Sequence, residues 1–263
     1  MDKTEFNEIH RSVTNASDFE KLALDYCQPV GVIASILHQK IIDYVKKKYY
    51  IIQNKSALLL KKWKRGSSII QLSEEYKFPP TLIATTLLKE MGMSKKYVFN
   101  HLDEIEDNRL ASEIKEALEI DLYFSPEAHS FQARKGILGE MIVAKWLEYR
   151  NIEYLTEEEL RKQSAEKTPD FFLPDPVEIR GQQVNWIESK AVFGNETDHQ
   201  TYIKKQFFHY EELYGSGMVI YWYGYVDGIS LEGHVISDYR IDDEFDPDIL
   251  RDIVDLLNLA PDW

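Results

Sequence analysis

The sequence predicts an α/β fold, a mixed sheet flanked by helices, preceded by an all-α region with two helix-turn-helix repeats. Three observations predict it. Residues 131–236 alternate between segments of helical apolar spacing and short strand-like runs. Two of those runs are joined by a turn-rich stretch, the pattern of a hairpin. The first third of the chain repeats itself at an offset of fifty residues, with Leu22, Tyr26, Pro29, Ile33, Ala34 and Leu37 answered by Leu72, Tyr76, Pro79, Ile83, Ala84 and Leu87. The expected organisation is a helical region over 1–125, an α/β domain over 126–237 and an acidic tail over 238–263.

Each copy of the repeat reads as a short helix, a proline-containing turn and a second amphipathic helix. Pro79-Pro80 stops a helix over Leu72–Lys77, and Thr81 starts the next. Helix, tight turn and helix is a DNA-binding pattern; the alternative is a helical hairpin used only for packing. Between the copies lies a basic stretch. Residues 40–65 hold nine basic side chains against the single acid Asp43, among them Lys46, Lys47, Lys48, Lys61, Lys62, Lys64 and Arg65. We take these seven as candidate nucleic-acid contacts, a solvated helix face being the other reading. Residues 109–120 read as a further helix, and Ser125-Pro126 as a breaker.

The second half follows in order. Ala133–Tyr149 is helical, with apolar positions Ile137, Leu138, Met141, Ile142, Ala144, Trp146 and Leu147. Ile152–Leu155 reads as a short strand and Glu157–Gln163 as a polar helix. Strands over Asp170–Leu173 and Gln183–Lys190 form the hairpin, with its turn-rich segment from Pro174 to Gln182. Asp198–Tyr214 is helical, Met218–Tyr225 a buried strand, and His234–Ile236 an edge strand. The tail carries nine acids, and its Ile249, Ile253, Val254, Leu256 and Leu257 form one helical stripe. That stripe either packs on the domain or binds a basic partner.

Chemistry gathers on the hairpin. Asp170 opens its first strand, after Thr168-Pro169. Glu188 and Lys190 end its second, two residues apart and therefore on one face. An Asp, a Glu and a Lys on strands in this order are the layout of a metal-dependent phosphodiesterase centre. The bland readings are a turn aspartate and an exposed strand edge. Glu140 supplies a third acid. Its helical neighbours Gly136, Ile137, Val143 and Ala144 are small or apolar, which places it on the packing face, where lone charges are rare. Gly136 and Gly139 would let this helix approach a sheet closely. Two carboxylates about 4 Å apart repel by roughly 4 kcal/mol at an effective dielectric near 20. One lysine does not offset three of them, whereas a hard cation, Mg²⁺ or Mn²⁺, does. Gln206 and Tyr210, four apart on the next helix, face the same way and carry groups that hydrogen-bond a phosphate or the lysine.

Composition narrows the remaining classes. A 44% apolar and 13% aromatic chain of 263 residues supports a real core. Cys27 is the single cysteine, which excludes a disulfide framework and suggests a reducing compartment. No run is apolar enough to span a bilayer and no leader pattern opens the chain, so a soluble, intracellular protein without membrane contact is expected. The net charge of −14 divides into +6 over 1–100 and −20 over 101–263. Such asymmetry suits a polyanion-binding first half. No Cys–His cluster suggests zinc, and neither a glycine-rich phosphate loop nor a G-x-S-x-G elbow is present.

The helix glutamate, Pro169-Asp170 and Glu188-Ser189-Lys190 resemble the PD-(D/E)xK nuclease superfamily, with its restriction-endonuclease-like fold. Gln206-xxx-Tyr210 resembles the extra motif of its RecB-like branch. More closely, Lys167-Thr168-Pro169-Asp170-Phe171, Trp186-Ile187-Glu188-Ser189-Lys190-Ala191 with Phe193-Gly194, and Val219-Ile220-Tyr221-Trp222-Tyr223-Gly224 resemble the codanin-interacting nuclease family, also known by its TPD motif. The likeness covers roughly 19–91 and 131–226. It implies a nuclease with Glu140, Asp170, Glu188 and the Ser189 carbonyl around the metal, Lys190 as catalytic lysine, and Gln206 and Tyr210 supporting it. It further implies nuclear or cytoplasmic residence and a codanin-type partner. DNA stands ahead of RNA as the expected substrate. Two other functions remain: a non-catalytic nuclease-fold adapter that binds a partner protein, and a helix-turn-helix regulator whose second half senses a ligand.

Overall fold

The computed structural model describes residues 1–242 and 245–261. The helices of the first half are α1 (Lys3–Ser12), α2 (Phe19–Asp25), α3 (Val30–Gln53), α4 (Ser56–Lys64), α5 (Ile69–Tyr76), α6 (Pro80–Glu90), α7 (Lys95–Asn100) and α8 (Asn108–Ile120). Then come α9 (Pro126–Tyr149), β1 (Leu155–Thr156), α10 (Glu157–Lys162), β2 (Phe171–Ile179) and β3 (Gln182–Lys190). The chain ends with α11 (Glu196–Tyr202), α12 (Phe208–Tyr214), β4 (Met218–Tyr221), β5 (Val235–Ser237) and α13 (Pro247–Asn258). The expected α/β class holds: a five-stranded mixed sheet accompanies an all-helical first half.

Two compact units form, Met1–Leu37 with Ala133–Ala260, and a second built on residues 38–132. The first unit thus takes in the first copy of the repeat together with the sheet. The first copy of the repeat belongs with the sheet because its apolar face is complementary to the far end of the chain. Ser35 accepts a hydrogen bond from the Phe193 amide at 2.8 Å. Phe6 stacks on Phe193 at 5.4 Å. Gly31 lies against the Leu257 carbonyl and the Tyr223 ring, leaving no space for a side chain.

Both copies are helix, tight turn and helix: α2 to α3, and α5 to α6. The turn residues Cys27 and Lys77, again fifty apart, have φ of 50° and 48°. The second helix of each copy packs against a core over part of its length. Residues 31–37 of α3 are all buried, and α6 buries Thr81, Ile83, Ala84, Thr86, Leu87 and Leu88. The later part of α3 is exposed, from Lys46 to Ile51. The basic stretch between them is helical as well, the second half of α3 and then α4, rather than a linker. The core of the second unit is centred on Leu59, Trp63, Ile69, Leu72, Phe78, Ile83 and Leu87.

The sheet order is β1-β2-β3-β4-β5. β1, β2 and β3 pair antiparallel, and β3, β4 and β5 pair parallel. β2 runs further than its prolines suggested. β1 covers only Phe171 and Phe172, so Pro174 and Pro176 fall on an open edge, beside an irregularity in register between Phe172 and Val177. The turn itself narrows to Arg180-Gly181, with φ of 52° and 75°. The predicted strand 218–225 ends at Tyr221, and Gly224 turns the chain with φ of 80°. The strand expected at Ile152–Leu155 shifts to Leu155–Thr156. α9 starts earlier than expected, at Pro126, because Ser125 accepts the Ala128 amide at 3.1 Å and proline suits a first helical position.

The tail packs on the first unit. α13 buries Ile249, Ile253, Leu256 and Leu257, while Val254 of the expected stripe is exposed. Asp252 binds Lys145 at 2.5 Å, and Asp242 accepts from Trp146 Nε1 at 2.9 Å and from Arg150 at 2.8 Å. Its acids Asp243, Glu244 and Asp262 lie outside the described residues.

Gly217, just before β4, lies where a Cβ would fall inside the buried Trp186 ring. Gly217→Ala is expected to destabilise the protein by about 1–3 kcal/mol through overpacking, measured as a lowered midpoint in urea unfolding; an unchanged midpoint would contradict this packing.

Candidate active site

β3 supplies the centre of the site. It lies between β2 and β4, with Glu188 opposite Val219 and Lys190 opposite Tyr221. Its alternation sends Trp186, Glu188 and Lys190 to one face and Ile187 and Ser189 to the other. On the first face Trp186 packs on Phe207 and Tyr210, at 6.0 and 5.2 Å between ring centres. On the second, Ser189 Oγ accepts from Trp222 Nε1 at 2.8 Å, and Gly139 of α9 lies against both. A Cβ there would meet Trp222 Nε1 at 2.5 Å and Ser189 Oγ at 3.0 Å, so the close approach expected of Gly139 is real. Gly136 faces open space instead.

Glu188 is only 2% exposed, which removes the exposed-edge reading. Its Oε1 accepts from Lys190 Nζ at 2.5 Å. Lys190 Nζ also lies 5.0 Å over the ring of Tyr202. Asp170 joins Glu188 from the neighbouring strand. Its Oδ2 accepts the Ser189 amide at 2.7 Å, and its own amide points at Glu188 Oε2, 3.4 Å away. Burial and the Glu188 charge push the Asp170 carboxyl up to about 7. Burial raises Glu188 too, against the pull of Lys190. The two acids thus form an enclosed carboxylate pair with one ammonium beside it.

The segment before Asp170 is held on several sides. Tyr210 donates to the Thr168 carbonyl at 3.0 Å and Tyr214 to the Lys167 carbonyl at 2.6 Å. Thr168 Oγ1 donates to Glu157 at 3.1 Å, and the Glu157 amide donates to the Asp170 carbonyl at 3.1 Å. Glu157 is a site residue that the sequence reading missed. Its charge raises Glu140, Asp170 and Glu188 alike. The available signal was Thr156, which caps α10 in a capping box with Glu159 and so fixes Glu157 in the first turn.

Glu140 departs from expectation. It is exposed, as are Ile137 and Met141, while α9 buries Ile142, Val143, Trp146 and Leu147. It nevertheless reaches the site electrostatically. Partial burial, then Asp170 and Glu157, raise its carboxyl, and Lys190 opposes them. Among the described residues no three His, Cys, Asp or Glu side chains are gathered as a metal site. Glu140 thus lies on the exposed side of α9, within electrostatic reach of Asp170 and Lys190. A third like charge is cheaper on the wet side of a helix than inside the pair.

The helical segment after β3 carries a π-helical turn over Ile203–Phe207 between α11 and α12. Tyr202, Gln206 and Tyr210 follow at four-residue spacing across it. Tyr202 covers Lys190, and the Tyr210 hydroxyl is raised by burial and by the Glu188 and Asp170 charges. Gln206 lies between them, with its buried carbonyl oxygen unpartnered. Tyr210 holds the Thr168 loop rather than the lysine. The support of Lys190 falls to Tyr202, whose only advance signal was its place on this helix. In the other unit Lys46, Lys47, Lys48, Lys61, Lys64 and Arg65 are exposed, whereas Lys62 is half-buried and paired with Glu75. No helix of the described residues is long and apolar enough to cross a membrane.

Comparison with known proteins bears on this site. The family described as "Protein of unknown function TPD sequence-motif" matches residues 106–241, which include the whole hairpin. CDAN1-interacting nuclease 1 of Mus musculus and that of Homo sapiens are each 33% identical over 168 residues, covering 60% of this chain and 60% of theirs. The Xenopus tropicalis protein of that name is 31% identical over 220 residues, covering 76% of this chain and 73% of its own. The chain thus spans about 60% of the length of the mammalian relatives it matches. No solved structure matches.

The raised Asp170 carboxyl has a thermodynamic consequence. Its folded pKa lies above the ordinary 3.8, so it favours folding at low pH, and that contribution is lost as pH rises toward about 7. Asp170→Asn, which keeps an oxygen for the Ser189 amide, is expected to raise the thermal midpoint in EDTA, and more so at pH 8 than at pH 5. A variant equally or less stable at pH 8 would show that the pair carries no repulsion.

Proposed function

The chain belongs to the TPD-motif family of the CDAN1-interacting nucleases, and from that premise we propose that it is a metal-dependent nuclease that hydrolyses phosphodiester bonds in DNA or RNA. The observation that carries this reading is buried Glu188 beside half-buried Asp170, with Lys190 at 2.5 Å from Glu188, at the mouth of a hairpin clamped by Tyr210 and Tyr214. Metal-dependent nuclease centres of the PD-(D/E)xK kind need two strand-borne acids and a lysine of this sort.

The donor set fits a hard divalent cation. Two enclosed carboxylates repel each other and carry oxygen ligands, and the buried Gln206 oxygen has no partner. Asp170 and Glu188 would hold Mg²⁺ or Mn²⁺, with the carbonyl of Ser189, the residue after Glu188, and with Glu140 as an outer acid. When bound, the cation supplies positive charge against the phosphate and acidifies water. Lys190, held over Tyr202, aligns the attacking water and offsets charge growing on the phosphate oxygens. Ser189 and Trp222 fix the back of β3, so that Glu188 and Lys190 keep their spacing. Tyr210 fixes the Thr168 carbonyl and with it the position of Asp170.

The expected result with purified protein and labelled DNA and RNA is cleavage that needs Mg²⁺ or Mn²⁺ and stops in EDTA. Glu188→Ala and Lys190→Ala should each lower the rate by about 100-fold or more, the scale of a positioned acid–base group. Cleavage unchanged in both variants would end the proposal. A codanin-type protein partner, and nuclear or cytoplasmic residence, are proposed on family membership alone.

A second reading has one observation in its favour: Glu140 is exposed on α9 whereas Glu188 is buried. In it the nuclease fold is an adapter that holds a partner protein. Calorimetric titration with Mn²⁺ separates the two. A nuclease binds the ion and loses it in Asp170→Asn, whereas an adapter shows no heat that depends on Asp170.

A further inference from the structure

The second unit carries a groove that the catalytic reading does not use. Tyr44, Lys48 and Ile51 follow at helical spacing along one face of α3, and Lys55 continues the row. With Glu75 and Tyr76 of α5 they line a hollow of about 420 Å³. A second hollow of about 370 Å³ adjoins it at Tyr44, lined by Lys77, Pro79, Pro80, Ile120 and Tyr123 among others. The two therefore form one trough, whose floor is tyrosine, proline and isoleucine and whose rim is lysine. Tyr44, Ile51 and Ile120 are exposed at 39%, 42% and 51%. Lys55 Nζ lies 5.1 Å above the Tyr76 ring and Lys62 Nζ 5.3 Å above it.

The two acids in the trough are already engaged. Glu75 is paired with Lys62. Asp121 is buried and accepts the amides of Thr81, Tyr123 and Phe124 at 3.1, 3.0 and 2.9 Å. Lys48, Lys55 and Lys77 are exposed on the rim. The trough is cationic at its edge and aromatic at its base, in a chain whose total charge is −14.

We propose that this trough binds single-stranded nucleic acid, with unpaired bases stacked on Tyr44 and Tyr76 and the strand's phosphates on Lys48, Lys55 and Lys77. Rings interleaved with cations are how sequence-tolerant single-strand sites are built, since every base offers a π face. A duplex hides those faces in its own stack. It would meet only the lysines and leave the apolar floor uncovered. The inference deepens the nuclease reading: it assigns that enzyme a substrate with an unpaired strand, such as a flap, overhang or loop.

The test is fluorescence anisotropy of the full chain in EDTA, where no cleavage occurs, with a labelled mixed-sequence 20-nucleotide strand and the corresponding blunt duplex. The strand should bind at least ten times more tightly than the duplex. Tyr44→Ala should weaken strand binding by roughly 5- to 100-fold, the value of one stacked base, while Tyr44→Phe, which keeps the ring, should not. Replacing Lys48 and Lys55 together by alanine should flatten the slope of log affinity against log salt by roughly 1.4. Thermal melting checks that each variant is folded. Equal or tighter duplex binding, or strand binding untouched by Tyr44→Ala and by the lysine pair, would overturn the proposal, and a peptide or other protein would then be the candidate occupant. Because binding is read without turnover, loss of this site with cleavage intact refutes the inference alone. Binding intact with no metal-dependent cleavage refutes the catalytic reading alone.

Discussion

Two carboxylates from adjacent strands, Asp170 and Glu188, are enclosed within one patch of the fold, and the rest of the first unit is arranged to tolerate them. Burying like charges is costly unless each oxygen finds a donor. The Ser189 amide serves Asp170, and Lys190 serves Glu188. Trp186, Phe207 and Tyr210 pack together on the Glu188 face of β3, and the Tyr202 ring lies under Lys190 Nζ. Burial of Glu188 strengthens the charge interactions it makes. This explains why Asp170 is held so far above the ordinary carboxylate range. Such tension is a cost for stability and an asset for chemistry that must place positive charge at that point.

The tolerance depends on connections between elements distant in sequence. Tyr210 and Tyr214 of α12 hold the carbonyls of residues 167 and 168, so the approach to Asp170 is set by a helix that follows it by some forty residues. Glu157 closes the same loop from the other side. On the back of the sheet, Gly139 allows α9 to contact Trp222 and Ser189, which places Glu140 near the pair without burying it. The π-helical turn over Ile203–Phe207 lies between Tyr202, which covers Lys190, and Tyr210, which holds the Thr168 carbonyl, and π turns are common at functional sites.

The repeat makes a separate physical point. One pattern of apolar positions, repeated after fifty residues, produces the same helix, left-handed turn and helix twice. The two copies then bury their second helices in different cores, one beside Phe193 and Leu257, the other around Trp63 and Leu87. A motif whose outline suggests DNA reading also packs here, through the start of α3 and one face of α6. The charge asymmetry between the halves still has a surface to act on, because the lysines of α3 and α4 are largely exposed.

Much of this was legible in the residues themselves. The hairpin, the helix from Asn108, the buried strand at Met218 and the pairing of Glu188 with Lys190 follow from period, turn chemistry and the two-residue alternation of a strand, all of which are local. Pro174 and Pro176 misled, because whether a strand position lies on an edge depends on how short its neighbour is. Glu140 misled for a similar reason: apolar neighbours at three and four residues mark a packing face only if something packs there, and Ile137 and Gly136 face solvent. Glu157 gave almost no signal, since an acid in the first turn of a helix is ordinary. What the sequence determined by itself was the set of elements and the chemical character of the hairpin. Tertiary structure alone decided which acids meet, which lysines stay free at the surface and which helices disappear into a core. Those outcomes are set by contacts between residues tens of positions apart, and no local pattern encodes them.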